Sequence, residues 1–149
     1  MDSLVERINS LVQEDPVSGR FKVGREAFTN EELFDLEMKY IFESNWVYLC
    51  HESQIAKPND YITGYIGRQP VIINRNKAGR IGGFINACAH RGATLCRDKK
   101  GNKSVFACSF HGWCFNSSGD LVKVRDEAGG GYPDSFDKKN HGLTPVPQV

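Results

Sequence analysis

The sequence predicts a mainly β protein, in which a small antiparallel sandwich or barrel is preceded by two N-terminal helices. From Trp46 onward, short segments rich in β-branched and aromatic residues alternate with turn-forming residues, which is the pattern of a small sandwich or barrel. Residues 76–79 (Asn-Lys-Ala-Gly) and 117–120 (Ser-Ser-Gly-Asp) resemble hairpin turns between neighbouring strands. We therefore expect short strands at residues 46–50, 61–66, 71–75, 81–86, 104–107, 112–116 and 121–124.

Ahead of these strands, apolar residues recur at helical spacing. A first helix is expected over residues 3–13, where the turn-forming segment that follows ends it. A second helix is expected from about Asn30 to Ser44, because Thr29 and Glu32 stand at the spacing of a capping box.

This change of pattern predicts two parts. Residues 1–44 form an N-terminal helical segment, and residues 45–149 form the β domain. The tail of that domain, from Asp126 onward, is rich in glycine and proline and is expected to be a surface connector.

Composition narrows the classes of function. The 149-residue chain is 40% hydrophobic and 25% charged, which is ordinary for a soluble globular protein. A net charge of +1 gives no basic excess, so we expect neither nucleic acid nor an anionic membrane as a partner. The sequence has no apolar run of transmembrane length, and the early Asp2 and Glu6 argue against a signal peptide. Five cysteines without an export signal indicate a reducing cytoplasm, where thiols serve as ligands or core residues.

Two short motifs carry the chemistry. Cys88 and His90 form a C-x-H motif, and Cys108 and His111 form a C-x-x-H motif, with a predicted strand at 104–107 before the second. Loops at the same end of a small β fold can face each other across one site, to which each motif supplies one thiolate and one imidazole. Thiolates suit iron–sulfur clusters, and two histidines in place of two cysteines on one iron raise the potential to roughly −150 to +300 mV. The four residues are therefore candidate ligands of a [2Fe–2S] cluster.

The same residue types allow two other interpretations. Zinc also accepts two cysteines and two histidines, but zinc fingers usually pair cysteine with cysteine and histidine with histidine, whereas each motif here mixes them. The residues could also be ordinary core residues. Of the other candidates, Cys50, Cys96 and Cys114 are expected to be small core residues, His51 a hydrogen-bonded packing residue and His141 a solvated loop residue.

The two motifs resemble the Rieske motif, in the form found in aromatic-ring-hydroxylating dioxygenases. The respiratory form has a further cysteine in each loop, and these cysteines form a disulfide; Ala93 and Phe110 stand at the matching positions here. The run from Phe110 to Trp113 (Phe-His-Gly-Trp) is typical of the oxygenases. Upstream, four segments resemble the N-terminal part of oxygenase large (α) subunits, and the similar residues are 21–29, 41–48, 51–55 and 60–61. The resemblance is to the benzoate, toluate, anthranilate and 2-halobenzoate branch.

The resemblance implies a Rieske-type small antiparallel β-sandwich that transfers electrons, as about the N-terminal third of an α subunit. It implies an NADH-dependent flavin/iron–sulfur reductase as electron donor, and as acceptor a mononuclear Fe(II) in the catalytic domain of a neighbouring α subunit. A small β subunit is a further candidate partner. The DxxHxxxxH-type motif of that catalytic domain does not occur in this sequence, so no catalytic residue is assigned.

Two alternatives from other classes stay open. One is a free-standing Rieske ferredoxin, although such proteins generally lack N-terminal helices. The other is a zinc-stabilised binding module without a redox role.

Overall fold

The computed structural model describes residues 2–147, and the side chains of residues 5–147. It confirms the predicted mainly β architecture with antiparallel sheets and few helices. The α-helices are α1 (Asp2–Ser10) and α2 (Glu31–Glu37), and one turn of π-helix at Met38–Phe42 extends α2. The strands are β1 (Val12–Asp15), β2 (Arg20–Val23), β3 (Asp60–Ile66), β4 (Gln69–Arg75), β5 (Ile81–Ile85), β6 (Lys100–Asn102), β7 (Val105–Ala107), β8 (Cys114–Asn116) and β9 (Leu121–Lys123). Single turns of 3₁₀-helix lie at Arg25–Phe28, Glu52–Ile55, Glu127–Gly129 and Lys138–His141.

The chain folds into two compact units, Met1–Trp46 and Val47–Val149. In the second unit, a four-stranded sheet has the order β5-β4-β3-β6 and a three-stranded sheet has the order β7-β8-β9. Every paired strand is antiparallel to its neighbour. None of the helices within residues 2–147 has the length and apolarity that crossing a bilayer requires.

The two predicted hairpin turns are confirmed, between β4 and β5 and between β8 and β9. Each begins at an asparagine, Asn76 or Asn116, whose side-chain oxygen accepts the backbone N–H groups two and four residues further on, at 2.8–3.0 Å. These bonds satisfy donors that the turn would otherwise leave unpaired, which is the usual reason for asparagine in turns.

Strand β4 is the centre of the core, because it is buried on both faces. Val71 and Ile73 pack with Ile55 on one face. On the other face, Ile72 packs with Tyr61 of β3 and with Phe106, which belongs to the three-stranded sheet. A third apolar cluster joins the two sheets near the candidate ligands and consists of Phe84, Cys88, Cys108, Trp113, Phe115, Leu121, Val124 and Leu143.

The N-terminal unit contains both predicted helices and a hairpin that the sequence did not predict. Helix α1 ends at Ser10, although the helix was expected to continue to residue 13. Residues 12 and 13 belong instead to β1, which pairs with β2. Helix α2 is capped by Asn30, whose side chain accepts the N–H of Leu33 at 3.0 Å, and not by Thr29. Ser3 and Glu6 stand at the spacing of a capping box for α1, but the side chain of Ser3 lies outside the described set.

Three further expectations about the β domain were wrong. Residues 46–50, expected to be a strand, form no ladder. Strand β6 was not expected, because its glycine and lysine have low strand propensity; it is a three-residue exposed edge strand of the kind that lysine protects. The tail from Asp126 is not only a surface connector. Its residue Leu143 is buried, and its residues 144–146 hydrogen-bond to Gly83 and Ile85 at 2.9–3.0 Å.

Candidate metal centre

The first motif lies on a tight loop that follows β5. The backbone N–H of Cys88 donates to the carbonyl of Ala93 at 2.8 Å, and the N–H of Gly92 donates back to the carbonyl of Cys88 at 2.8 Å. Gly92 has a φ of 72°, a left-handed conformation that favours glycine. These reciprocal bonds close the loop around His90.

The second motif lies on a loop of the same construction, between β7 and β8. The N–H of Cys108 donates to the carbonyl of Trp113 at 2.7 Å, and the N–H of Gly112 donates to the carbonyl of Cys108 at 3.0 Å. Gly112 has a φ of 68°. The two loops therefore share one backbone scaffold, with cysteine first and glycine fifth. They differ in the place of the histidine, which is third in one loop and fourth in the other.

The four candidate ligands converge from these loops on one cavity of about 440 Å³. The cysteines lie at its base, with Cys88 only 3% and Cys108 only 4% exposed. The histidines lie at the surface, where the rings of His90 and His111 meet edge to face with centroids 4.8 Å apart. The thiols of Cys88 and Cys108 thus lie side by side within hydrogen-bonding distance, and the two imidazoles form a second pair.

The electrostatics of the donors follow from this placement. Burial raises the pKa of the Cys88 thiol; the backbone N–H of His90, which donates to its sulfur, acts in the opposite direction, and the adjacent Cys108 thiol raises the pKa further. Partial desolvation lowers the pKa of His90, and the nearby His111 and Arg91 lower it further. The lowered pKa favours the neutral imidazole of His90, the form that binds metal, whereas metal binding at a Cys88 thiol must release a proton.

This donor set fits a two-iron cluster better than a single ion. A structural zinc site places four donors around one point, whereas the candidate ligands here form two pairs, Cys88 with Cys108 and His90 with His111. The observed arrangement is instead two buried thiols and two exposed imidazoles. That division matches a [2Fe–2S] group with cysteines on one iron and histidines on the other.

An aromatic cluster that the sequence did not reveal lies behind His90. Trp113 is 3% exposed and stacks on the His90 ring with centroids 4.9 Å apart. Its indole N–H donates to the Tyr132 hydroxyl at 2.9 Å. Phe136 and His141 pack edge-on against the indole, at 5.9 and 5.8 Å. His141 is consequently half-buried and stacked on Phe136, and not a solvated loop residue as expected.

The remaining candidates lie outside the cavity. Cys96 is buried, as expected, against Tyr61 and Phe106. Cys50 and Cys114 are half-buried, and all five cysteines are free thiols. His51 is exposed and caps the 3₁₀ turn at Glu52–Ile55, accepting the N–H of Ser53.

Antiparallel sheets carrying twin loops, each with one thiolate and one imidazole, define an iron–sulfur protein with mixed ligands. The chain belongs to the Rieske [2Fe–2S] domain family, whose model matches residues 45–136. Its cofactor is a Rieske-type [2Fe–2S] cluster.

Individual relatives agree with the branch that the sequence predicted. The chain is 59% identical over 89% of its length to the toluate 1,2-dioxygenase α subunit of Pseudomonas putida. It is 57% identical over 94% of its length to the 2-halobenzoate 1,2-dioxygenase large subunit of Burkholderia cepacia, and 52% identical over 86% to the anthranilate 1,2-dioxygenase large subunit of Acinetobacter baylyi. It spans 29%, 30% and 27% of these relatives, respectively.

Solved structures give the same result for the fold. The naphthalene 1,2-dioxygenase of Rhodococcus sp., bound to indole, matches with a TM-score of 0.76 and 39% identity, covering 80% of this chain and 27% of that one. A quaternary ammonium Rieske monooxygenase in complex with L-carnitine matches with a TM-score of 0.71 and 33% identity, covering 82% of this chain and 34% of that one.

Proposed function

We propose that the chain transfers single electrons through a Rieske cluster bound by Cys88, His90, Cys108 and His111. The observation that carries this proposal is the division of the donors into two buried thiols and two exposed, adjacent imidazoles on loops of one construction. When bound, the cluster accepts and gives up one electron at a time.

The protein's own residues determine how such a group is held. Cys88 and Cys108 lie where water has little access, and the backbone N–H groups of His90 and Arg91 donate to the Cys88 sulfur. Donors of this kind stabilise negative charge on sulfur and raise the potential of an iron–sulfur site. His90 and His111 are exposed, and they provide the short path by which an electron enters or leaves the site.

We further propose that the chain is the N-terminal part of the α subunit of an aromatic-acid ring-hydroxylating dioxygenase, located in the cytoplasm. The toluate, 2-halobenzoate and anthranilate dioxygenase relatives support this proposal. In this role residues 1–44 form the helical segment and residues 45–149 form the Rieske domain with its connector. In the proposed α subunit, the catalytic Fe(II) lies in a C-terminal domain, outside residues 1–149.

The partners follow from the same proposal. An NADH-dependent flavin/iron–sulfur reductase supplies the electrons, the catalytic domain of a neighbouring α subunit receives them, and a small β subunit is a further member of the assembly. Arg91 lines the donor cavity, and Arg125 lines a second cavity that His90 and His111 share. Asp126 also lines that second cavity and pairs with Arg125 at 3.8 Å, so the positive charge beside the donor cavity is that of Arg91, which favours association with an acidic donor surface.

Absorption and EPR spectra of the purified chain, before and after dithionite, test the proposed site. We expect a red-brown protein with about two irons per chain and a reduced signal of low average g. Cys88→Ala should abolish that signal. Cys96→Ala is the matched control, since Cys96 is equally buried, at 2% against 3%, but lies outside the cavity, and it should keep the cluster. A zinc protein, or a cluster that survives Cys88→Ala, would contradict the proposal.

A further inference from the structure

The two histidines of the candidate site have unequal surroundings. His90 stacks on the buried indole of Trp113 with an interplanar angle of 21°. His111 meets His90 and the ring of Phe110, which is 62% exposed. The orientation of the His90 ring is therefore restricted by a buried partner, while the partner of His111 beyond His90 is a surface side chain.

Trp113 is in turn held by the C-terminal segment of the domain. Its indole N–H has Tyr132 as acceptor, and the rings of Phe136 and His141 close two further approaches to the indole. Tyr132 also packs against Phe136, with ring centroids 4.5 Å apart. The indole can rotate or shift only if this hydrogen bond breaks and these rings move.

Tyr132 also lies beside the ligands, because it lines the second cavity together with His90 and His111. It comes directly after Gly129, Gly130 and Gly131, so its place is not fixed by a regular helix or strand. Its position depends on the hydrogen bond to Trp113 and on its ring contacts with Trp113 and Phe136.

We propose that Tyr132 is a positioning residue for His90: by accepting the Trp113 N–H it holds the indole against the His90 ring and so sets the orientation of one ligand and not of the other. This inference rests on the proposed function, since it takes His90 and His111 as ligands. Tyr132 makes no bond to the cluster in this role and acts through Trp113 alone.

The test uses the whole chain, loaded with its cluster and reduced, with ¹⁵N in its histidines. Pulsed EPR then measures the hyperfine couplings of the two ligand nitrogens separately. In Tyr132→Phe, which keeps the ring and removes only the hydroxyl acceptor, we expect one nitrogen coupling to change and the other to stay at its wild-type value. Tyr65→Phe is the matched control, because Tyr65 is 68% exposed on β3, and it should change neither coupling.

A double-mutant cycle separates action through the indole from direct action of the hydroxyl on the cavity. Trp113→Phe removes the N–H, so adding Tyr132→Phe to it should produce no additional change in coupling. A change that persists in that background overturns the inference. Equal changes at both nitrogens, or no change at either, in Tyr132→Phe alone also overturn the inference. If Trp113→Phe does not hold a cluster, the result for Tyr132→Phe alone is the deciding one. A wild-type chain without the two nitrogen couplings would instead refute the proposed function.

Discussion

At position 119, in the turn between β8 and β9, the backbone lies directly against the ring of Phe84. Gly119 has a φ of 87°, and a Cβ added there would come within 2.9 Å of the Phe84 Cζ atom. Gly79, in the other predicted turn, has a similar φ of 83° but has nothing within 4 Å of an added Cβ. The two turns thus separate the cost of backbone strain from the cost of a steric clash.

We expect Gly79→Ala to lower the free energy of unfolding by about 1–2 kcal/mol, the usual cost of a left-handed non-glycine residue. Gly119→Ala should lower it by about 1–3 kcal/mol more, because Phe84 is a core residue that must move. Urea denaturation of both variants measures the difference. Equal losses would show that the Phe84 ring yields without cost.

Asn86 hydrogen-bonds to the backbone that follows the loop carrying Cys88 and His90. It is 3% exposed, its side-chain oxygen accepts the N–H of Leu95 and of Cys96, and its amide donates to the Cys96 carbonyl at 2.7 Å. Asn86→Ala leaves these buried backbone groups without a partner and should cost about 2–4 kcal/mol. Asn102→Ala, at an exposed asparagine that also bonds to a backbone carbonyl, should cost about 1 kcal/mol or less. Similar losses in urea unfolding would refute the distinction.

The sequence identified the four candidate ligands but not the residues packed behind them, and the reason is physical. Cys88, His90, Cys108 and His111 are recognisable because local spacing on tight loops determines their geometry. Tyr132 and His141 reach Trp113 only through tertiary packing of a glycine-rich segment. No periodicity or motif marks such a contact, so His141 was wrongly expected to be solvated.

At the level of elements, the strands with a buried face were predicted and those without one were not. The predicted segments at 61–66, 71–75 and 81–86 correspond to β3, β4 and β5, which supply core residues. In β1 and β2 every residue is exposed. Strand β1 lacks the alternation of apolar and polar residues that identifies a strand, and the alternation in β2 spans only the four residues Arg20–Val23.

The C-terminal segment is the element whose role the sequence understated most. Leu143 lies in it and Leu121 lies in β9, yet both are 5% exposed and belong to the same core cluster. We expect Leu143→Ala and Leu121→Ala to lower the free energy of unfolding by similar amounts, about 2–4 kcal/mol each. Chemical denaturation tests this expectation. A loss below about 0.5 kcal/mol for Leu143→Ala, as at a surface site, would mean that the segment is a connector after all.

On the scale of the whole molecule, the two compact units differ greatly in what they bury. Among the described side chains of the N-terminal unit, Leu33 is the only one classed as buried. This unit also has an apolar cavity of about 360 Å³, lined by Ile8, Leu11, Val12, Val23, Ala27, Leu33, Leu36, Glu37, Tyr40 and Ile41. The second unit contains all three clusters of the apolar core.

Because local stability follows the burial of apolar contacts, the two units should open independently. We expect backbone amides in α1, β1, β2 and α2 to exchange with solvent at least about tenfold faster than those of β3, β4 and β5, corresponding to a difference of about 1.4 kcal/mol or more. Hydrogen exchange followed by mass spectrometry checks this expectation. Uniform protection across both units would show instead that they unfold together.

The aromatic residues that enclose Trp113 are synthesised after the candidate ligands, because they lie further along the chain. The ribosome adds about 5–20 residues per second, so roughly 2–6 seconds separate the synthesis of His111 from that of His141. During this interval both cysteines of the site exist in a chain that lacks the rings enclosing Trp113. The packing that buries the two thiols in the finished domain is therefore incomplete until synthesis has passed His141.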